Sequence, residues 1–160
     1  MAELLDIVAY IIKNYPSNLR DELSNARLTK MVYLSDWHSS LNNKRQLSNI
    51  RWFFDNHGPY VNDIIDLARA RTDIFEVKET ENIYSGRKRI ISLKSPSYKP
   101  DLSKSEKASI DRIIEITKTK YWADFISLVY GTHPIASSER YTYLDLIKKA
   151  DEHKKDLKDG

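Results

Sequence analysis

A mostly helical α+β fold, about six helices with a small β-hairpin or short sheet, is predicted by three features of this 160-residue chain. Apolar residues recur at helical spacing over most of its length. From Ile74 to about Leu93 the period changes to two, with Phe75 and Val77 alternating with Glu76 and Lys78. Proline and glycine punctuate the blocks at Pro16, Gly58-Pro59, Pro96, Pro100 and Gly131.

The elements follow in order. Leu4, Val8, Ile11, Ile12 and Tyr15 lie on one face of a first helix, which Pro16 ends because its ring cannot continue the backbone ladder. Asn18 to Leu23 forms a short turn or helix. Ser24 is the N-cap of the next helix, which runs to about Leu41. Leu28, Met31, Val32 and Ser35 make its stripe, and Leu34, Trp37 and Leu41 widen it, so this helix is expected to be central. A turn at Asn42 to Arg45 leads to an extended run from Asn49 to Phe54. Gly58-Pro59 is expected to start a third helix, with Val61, Ile64, Ile65 and Ala68 inward. The period-two segment is a hairpin with its turn at Ser85-Gly86, returning through Ile90 to Leu93. Ser103 and Glu106 match a capping box. The helix they open buries Ile110, Ile113, Ile114, Thr117 and Tyr121. A short helix uses Trp122, Phe125, Ile126 and Val129, and a last one runs from Tyr143 to about Leu157. Residues 1–150 are expected to be a single domain and 151–160 a charged tail.

Composition narrows the function. With 41% hydrophobic and 31% charged residues the chain suits a globular domain, and without cysteine it has no disulfides or thiolate chemistry. No apolar run approaches the roughly 20 residues that span a bilayer, and the N-terminus carries acids without a basic leader. A cytoplasmic protein with no membrane partner is the expectation. The net charge of +3 is mild, but Ile83 to Arg112 holds eight basic residues against three acids. Such a zone reads first as a solvated surface, and second as an attractor for nucleic acid or an acidic protein.

Catalytic equipment is not evident. The four histidines, His38, His57, His133 and His153, lack metal-ligand spacing, so neither a metal nor another cofactor is expected. His57 reads as turn chemistry, and His133, preceding Pro134, is expected to be extended. Asp6, Asp36, Asp55, Asp63 and Asp66 form no paired-carboxylate motif, and the four glycines form no phosphate cradle. The chain is therefore expected not to be an enzyme. Its ten tyrosines and three tryptophans suit both cores and protein interfaces; most read first as core, and Tyr141 and Tyr143, alternating in a loop-like stretch, are the better interface candidates.

The run Arg27 to His38, RLTKMVYLSDWH, resembles the K-L-x-K-L-L-Y-x-A-x-x-W segment of the Panacea (SocA-like antitoxin) domain. Trp52 with His57-Gly58-Pro59 resembles that family's W-x-x-G-P element, and FISLVYGTHPIASSE resembles its region after the hairpin. The resemblance implies a prokaryotic or phage antitoxin that neutralises a cognate toxin by direct protein contact, possible use as an adapter to a cytosolic protease included. Tyr60 stands where a smaller aliphatic is common, and the family's acidic motif near the C-terminus is missing. Leu28, Lys30, Tyr33, Trp52, Gly58 and Pro59 are then expected to hold the fold. Trp37, His38, Tyr60, Tyr141 and Tyr143 are expected near a toxin-binding surface. The alternative is a nucleic-acid-binding transcriptional regulator using Arg87, Lys88 and Arg89 in the manner of a winged-helix wing. It is not favoured, because Asp63 and Asp66 on the adjacent helix would repel phosphates.

Overall fold

The computed structural model of the chain describes residues 1–82 and 86–159. It is α+β, with α1 (Leu4–Asn14), a 3-10 helix (Ser17–Glu22), α2 (Asn25–Asn43), β1 (Phe53–Asp55), β2 (Gly58–Tyr60) and α3 (Asp63–Ala70). There follow β3 (Phe75–Asn82), β4 (Gly86–Leu93), α4 (Lys104–Thr117), α5 (Trp122–Tyr130), α6 (His133–Ala136) and α7 (Leu146–Asp159). The described residues thus hold eight helices rather than about six: the stretch read as a short turn or helix is the 3-10 helix, and the four-residue α6 is an addition.

α2 is the hub. It touches α1, α3, α4 and α7 and both hairpins, and it buries residues on every side. Ser24 starts it by accepting a hydrogen bond from the Arg27 amide at 3.2 Å. Lys44 ends it in the left-handed region at φ 59°. Leu28, Met31, Val32 and Leu34 are fully or nearly fully buried with Ile7, Ile11, Ile64, Ile110 and Phe125 in one core. The polar Arg27, Lys30 and Asp36 lie in the same interior.

β3 and β4 pair antiparallel from Phe75↔Leu93 to Asn82↔Gly86, in the segment where the period of two predicts a hairpin. The Ser85 of its expected turn is outside the described residues. The Ile91 amide of β4 donates to the Leu23 carbonyl, which ties this hairpin to the entry of α2. The Ser103–Glu106 capping box forms with both bonds present.

Four expectations change. Gly58-Pro59 opens β2 and not a helix: Asn56-His57 makes a two-residue turn, Gly58 takes φ +98°, and the helix waits until Asp63. His133 is helical, because the turn it begins is closed by the Ala136 amide to Thr132 and the Ser137 amide to His133. Tyr121 is 81% exposed, since α4 stops at Thr117 and the chain turns away before reaching it. The last helix begins at Leu146, because Tyr143 is bridged to Phe53 of β1 and Asp145 accepts from the Lys148 amide. α7 runs on to Asp159, so His153 lies beside Trp37 and His133, with ring centroids 6.1 and 5.2 Å away.

Candidate binding interface

The small hairpin β1–β2 is held from below by a buried carboxylate. Asp36, on α2, is fully buried. Its Oδ1 accepts from the Leu47 and Ser48 amides, both at 2.9 Å. Its Oδ2 accepts from the Ser48 hydroxyl at 2.5 Å and from Trp52 Nε1 at 2.9 Å. Burial pushes its pKa up to about 6, against the pull of these donors. The knot sets the path of residues 47–52, which have no regular structure of their own, and delivers Trp52 edge-on to Tyr33 at 5.5 Å.

Lys30 lies six residues nearer the start of α2 than Asp36 and is 2% exposed. Its ammonium is 5.9 Å from the centre of the Tyr60 ring. Burial pushes its pKa down to about 8, and Asp55 opposes that shift. A side chain on Gly58 would meet Tyr130 at 3.6 Å and the Lys30 stem at 3.8 Å, ordinary contacts; the glycine is needed for its φ of +98° and not for space. Leu28, Lys30, Tyr33, Trp52, Gly58 and Pro59 are all buried.

An aromatic row crosses this hairpin. Phe53 pairs with Tyr60 on one side and bridges Tyr143 on the other. Its ring meets that of Tyr143 at 5.0 Å, and the Arg51 guanidinium stacks on Tyr143 at 3.6 Å. The segment around Tyr143 is laid along β1 by three backbone bonds: Tyr141 amide to Phe54 carbonyl, Phe54 amide to Thr142 carbonyl and Leu144 amide to Trp52 carbonyl. Tyr141 sits at φ +67°, unusual for a bulky residue, with its hydroxyl bonded to Asn56. Tyr141 and Tyr143 are 62% and 56% exposed.

Tyr60, at the other end of the row, also lines a cleft of about 700 Å³. The cleft is lined by Arg87, Lys88 and Arg89 of β4, by Ser24 to Arg27 at the start of α2, and by Tyr121 and Trp122 at the start of α5. Arg27 is buried and immobilised, with its guanidinium 4.4 Å over Phe125 and donating to the carbonyls of Thr117 and Lys120.

Of the five residues expected at a toxin-binding surface, the fold therefore joins Tyr60 and Tyr143 through Phe53 and places Tyr141 beside them. Trp37, 7% exposed, lies instead in the seam between α2 and α7. His38 is part-buried against α4, with Nδ1 3.0 Å from the Ser109 hydroxyl; burial and then Arg112 lower its pKa. Arg51, Phe53, Tyr121 and Trp122 join the surface without having been singled out from the sequence. For Asp36 there was a signal: it falls on a side of α2 continuous with Val32 and Leu28, where an acid is out of place unless donors surround it.

A family model described as antitoxin SocA-like, Panacea domain, matches residues 28–134. The chain belongs to this family. The match begins at Leu28 of the α2 motif and takes in both hairpins, α4 and α5; Tyr141 and Tyr143 lie just past its end. Family membership supports an antitoxin role in general and, with it, a toxin as partner. Comparison with curated proteins and with solved structures returns no match. Among the described residues no helix is long and apolar enough to cross a membrane.

Proposed function

We propose that this Panacea-domain protein neutralises a partner toxin by binding it directly, and that it acts through a surface and not through catalysis. The observation that carries this reading is the row Tyr60–Phe53–Tyr143 with Tyr141 beside it. Tyrosine and arginine are the residue types that dominate binding energy at protein interfaces, and Arg51 on Tyr143 supplies the second of them. The row is rigid, because Asp36 anchors one strand and backbone bonds fix the Tyr141–Leu144 segment, so little conformational freedom remains to be lost on association.

The test is co-expression. The reading frames flanking the gene are expressed one at a time in a host lacking the gene, then together with this protein. One of them is expected to arrest growth, to be relieved by co-expression, and to co-purify with this chain. A Tyr141→Ala/Tyr143→Ala variant that folds is expected to lose both effects. Normal growth with every neighbour expressed alone defeats the reading.

A further inference from the structure

The basic cleft beside Tyr60 has a composition that its role in the fold does not require. Arg87 is exposed and Lys88 and Arg89 are half-buried; among the described residues none of the three makes an ion pair. Glu79, opposite Arg89 in the strand register, is turned to Arg69 instead at 3.8 Å. In the same lining, Tyr121 is 81% and Trp122 49% exposed. Cations outside these ion pairs, lining one cleft together with two open aromatic rings, form a recognition surface for a carboxylate next to a ring: guanidinium groups take carboxylates in a forked geometry, and the exposed rings stack or pack edge-on.

We infer that this cleft receives an acidic, aromatic-bearing segment of the partner toxin, an inference that rests on the antitoxin reading above. Charge complementarity names the occupant. The cleft is continuous with the aromatic row through Tyr60, so one partner spans both. A single-stranded nucleic acid fits less well. It requires a track of cations along several nucleotides. Here Arg87, Lys88 and Arg89 are three successive residues of one strand, the guanidinium of Arg27 is taken up by the Thr117 and Lys120 carbonyls, Glu22 lines the cleft with them, and Asp124 is exposed on the first turn of α5 close in sequence to Trp122.

Trp122 provides the readout, since Trp37 and Trp52 are buried. The purified full chain is titrated with a poly(Glu,Tyr) copolymer at low salt, following tryptophan emission. Saturable binding is expected, about tenfold weaker in an Arg87→Glu/Lys88→Glu/Arg89→Glu variant. Should that variant unfold, Arg87→Gln/Arg89→Gln removes charge without adding any and is expected to weaken binding in the same direction. A Lys154→Glu/Lys155→Glu/Lys158→Glu variant on α7 carries the same change of net charge and is expected to bind as the parent does. Equal loss in that control, or no copolymer binding by the parent, overturns the inference. Tighter binding of a 20-nucleotide oligo(dT), lost in the cleft variant, overturns it in favour of nucleic acid. The toxin, once found by co-expression, is expected to displace the copolymer and to escape neutralisation by the cleft variant. If the parent neutralises and the cleft variant neutralises equally, the cleft assignment falls and the antitoxin reading stands. If the parent neutralises nothing, both fall, whatever the copolymer does.

Discussion

Trp52 donates its indole N–H to the carboxylate of Asp36 at 2.9 Å, and both side chains are fully buried. Through this bond the central helix α2 sets the strand that carries the aromatic row. Removing either partner leaves a buried polar group without its complement, which is costlier than the net value of the bond.

Asp36→Asn is therefore expected to destabilise the fold by about 1–3 kcal/mol at pH 7, because one face of the carboxylate becomes an amide donor opposed to the Trp52 and Ser48 donors. The pH dependence has a defined sign. With the folded pKa near 6 and the ordinary value at 3.8, the folded state holds the proton more tightly. The stability from this group is present below about pH 4 and lost as pH rises through 6, for a total on the order of 3 kcal/mol. Urea denaturation at pH 4, 5, 6 and 7 reads it as a shrinking advantage of the parent over Asp36→Asn; an advantage that grows with pH contradicts it.

Lys30→Met is expected to stabilise the protein by about 1–3 kcal/mol at pH 7, by removing a charge whose burial depresses its pKa to about 8. Below pH 8 the folded state carries the full burial penalty. As pH rises from 8 to the unfolded value of 10.5 the lysine neutralises in the folded state first, and the variant's advantage fades. Thermal unfolding at pH 7 and pH 10 measures both ends. A destabilised variant at pH 7 would mean that the contacts of the Lys30 stem and the 5.9 Å approach to Tyr60 outweigh the burial penalty.

Gly58→Ala is expected to cost about 1–3 kcal/mol, from backbone alone. The space for a methyl exists, since its nearest neighbours stand 3.6 Å or more away, but φ +98° is a conformation that alanine avoids. Chemical denaturation reads the loss. If alanine is tolerated at no cost, the hairpin has another turn geometry open to it.

Tyr141→Gly separates folding from binding. The residue stands at φ +67°, where a side chain costs about 1–2 kcal/mol that glycine does not incur. Offsetting this is the loss of its hydroxyl bond to Asn56, which is exposed. Stability is therefore expected to hold or rise slightly, while affinity for the toxin falls about tenfold or more. Calorimetry of the variant alone and pull-down of the toxin give the two halves. Undiminished affinity would exclude Tyr141 from the interface.

Much of the fold was legible where the signal is local. Ser24 and Ser103 cap their helices because a side-chain oxygen three residues before a free amide is a short-range arrangement. The β3–β4 hairpin follows from the alternation of Phe75 and Val77 with charged residues. The Gly58-Pro59 pair misled, because the same dipeptide suits the helix start expected there and the strand after a tight turn that forms. What decides between them is the pairing of Phe53 with Tyr60, which no local pattern records.

The candidate surface divides in the same way. From composition and motif alone came the α+β class, the family, its buried motif residues and the basic run Arg87–Arg89. Only tertiary structure could separate Trp37, sealed between α2 and α7, from Tyr143, open on the edge of β1, since both are aromatic residues in amphipathic surroundings. Helical periodicity tells which side of an element turns from water; which neighbour covers that side depends on contacts between segments up to about a hundred residues apart, such as Tyr33 with Thr132 and Arg27 with Lys120.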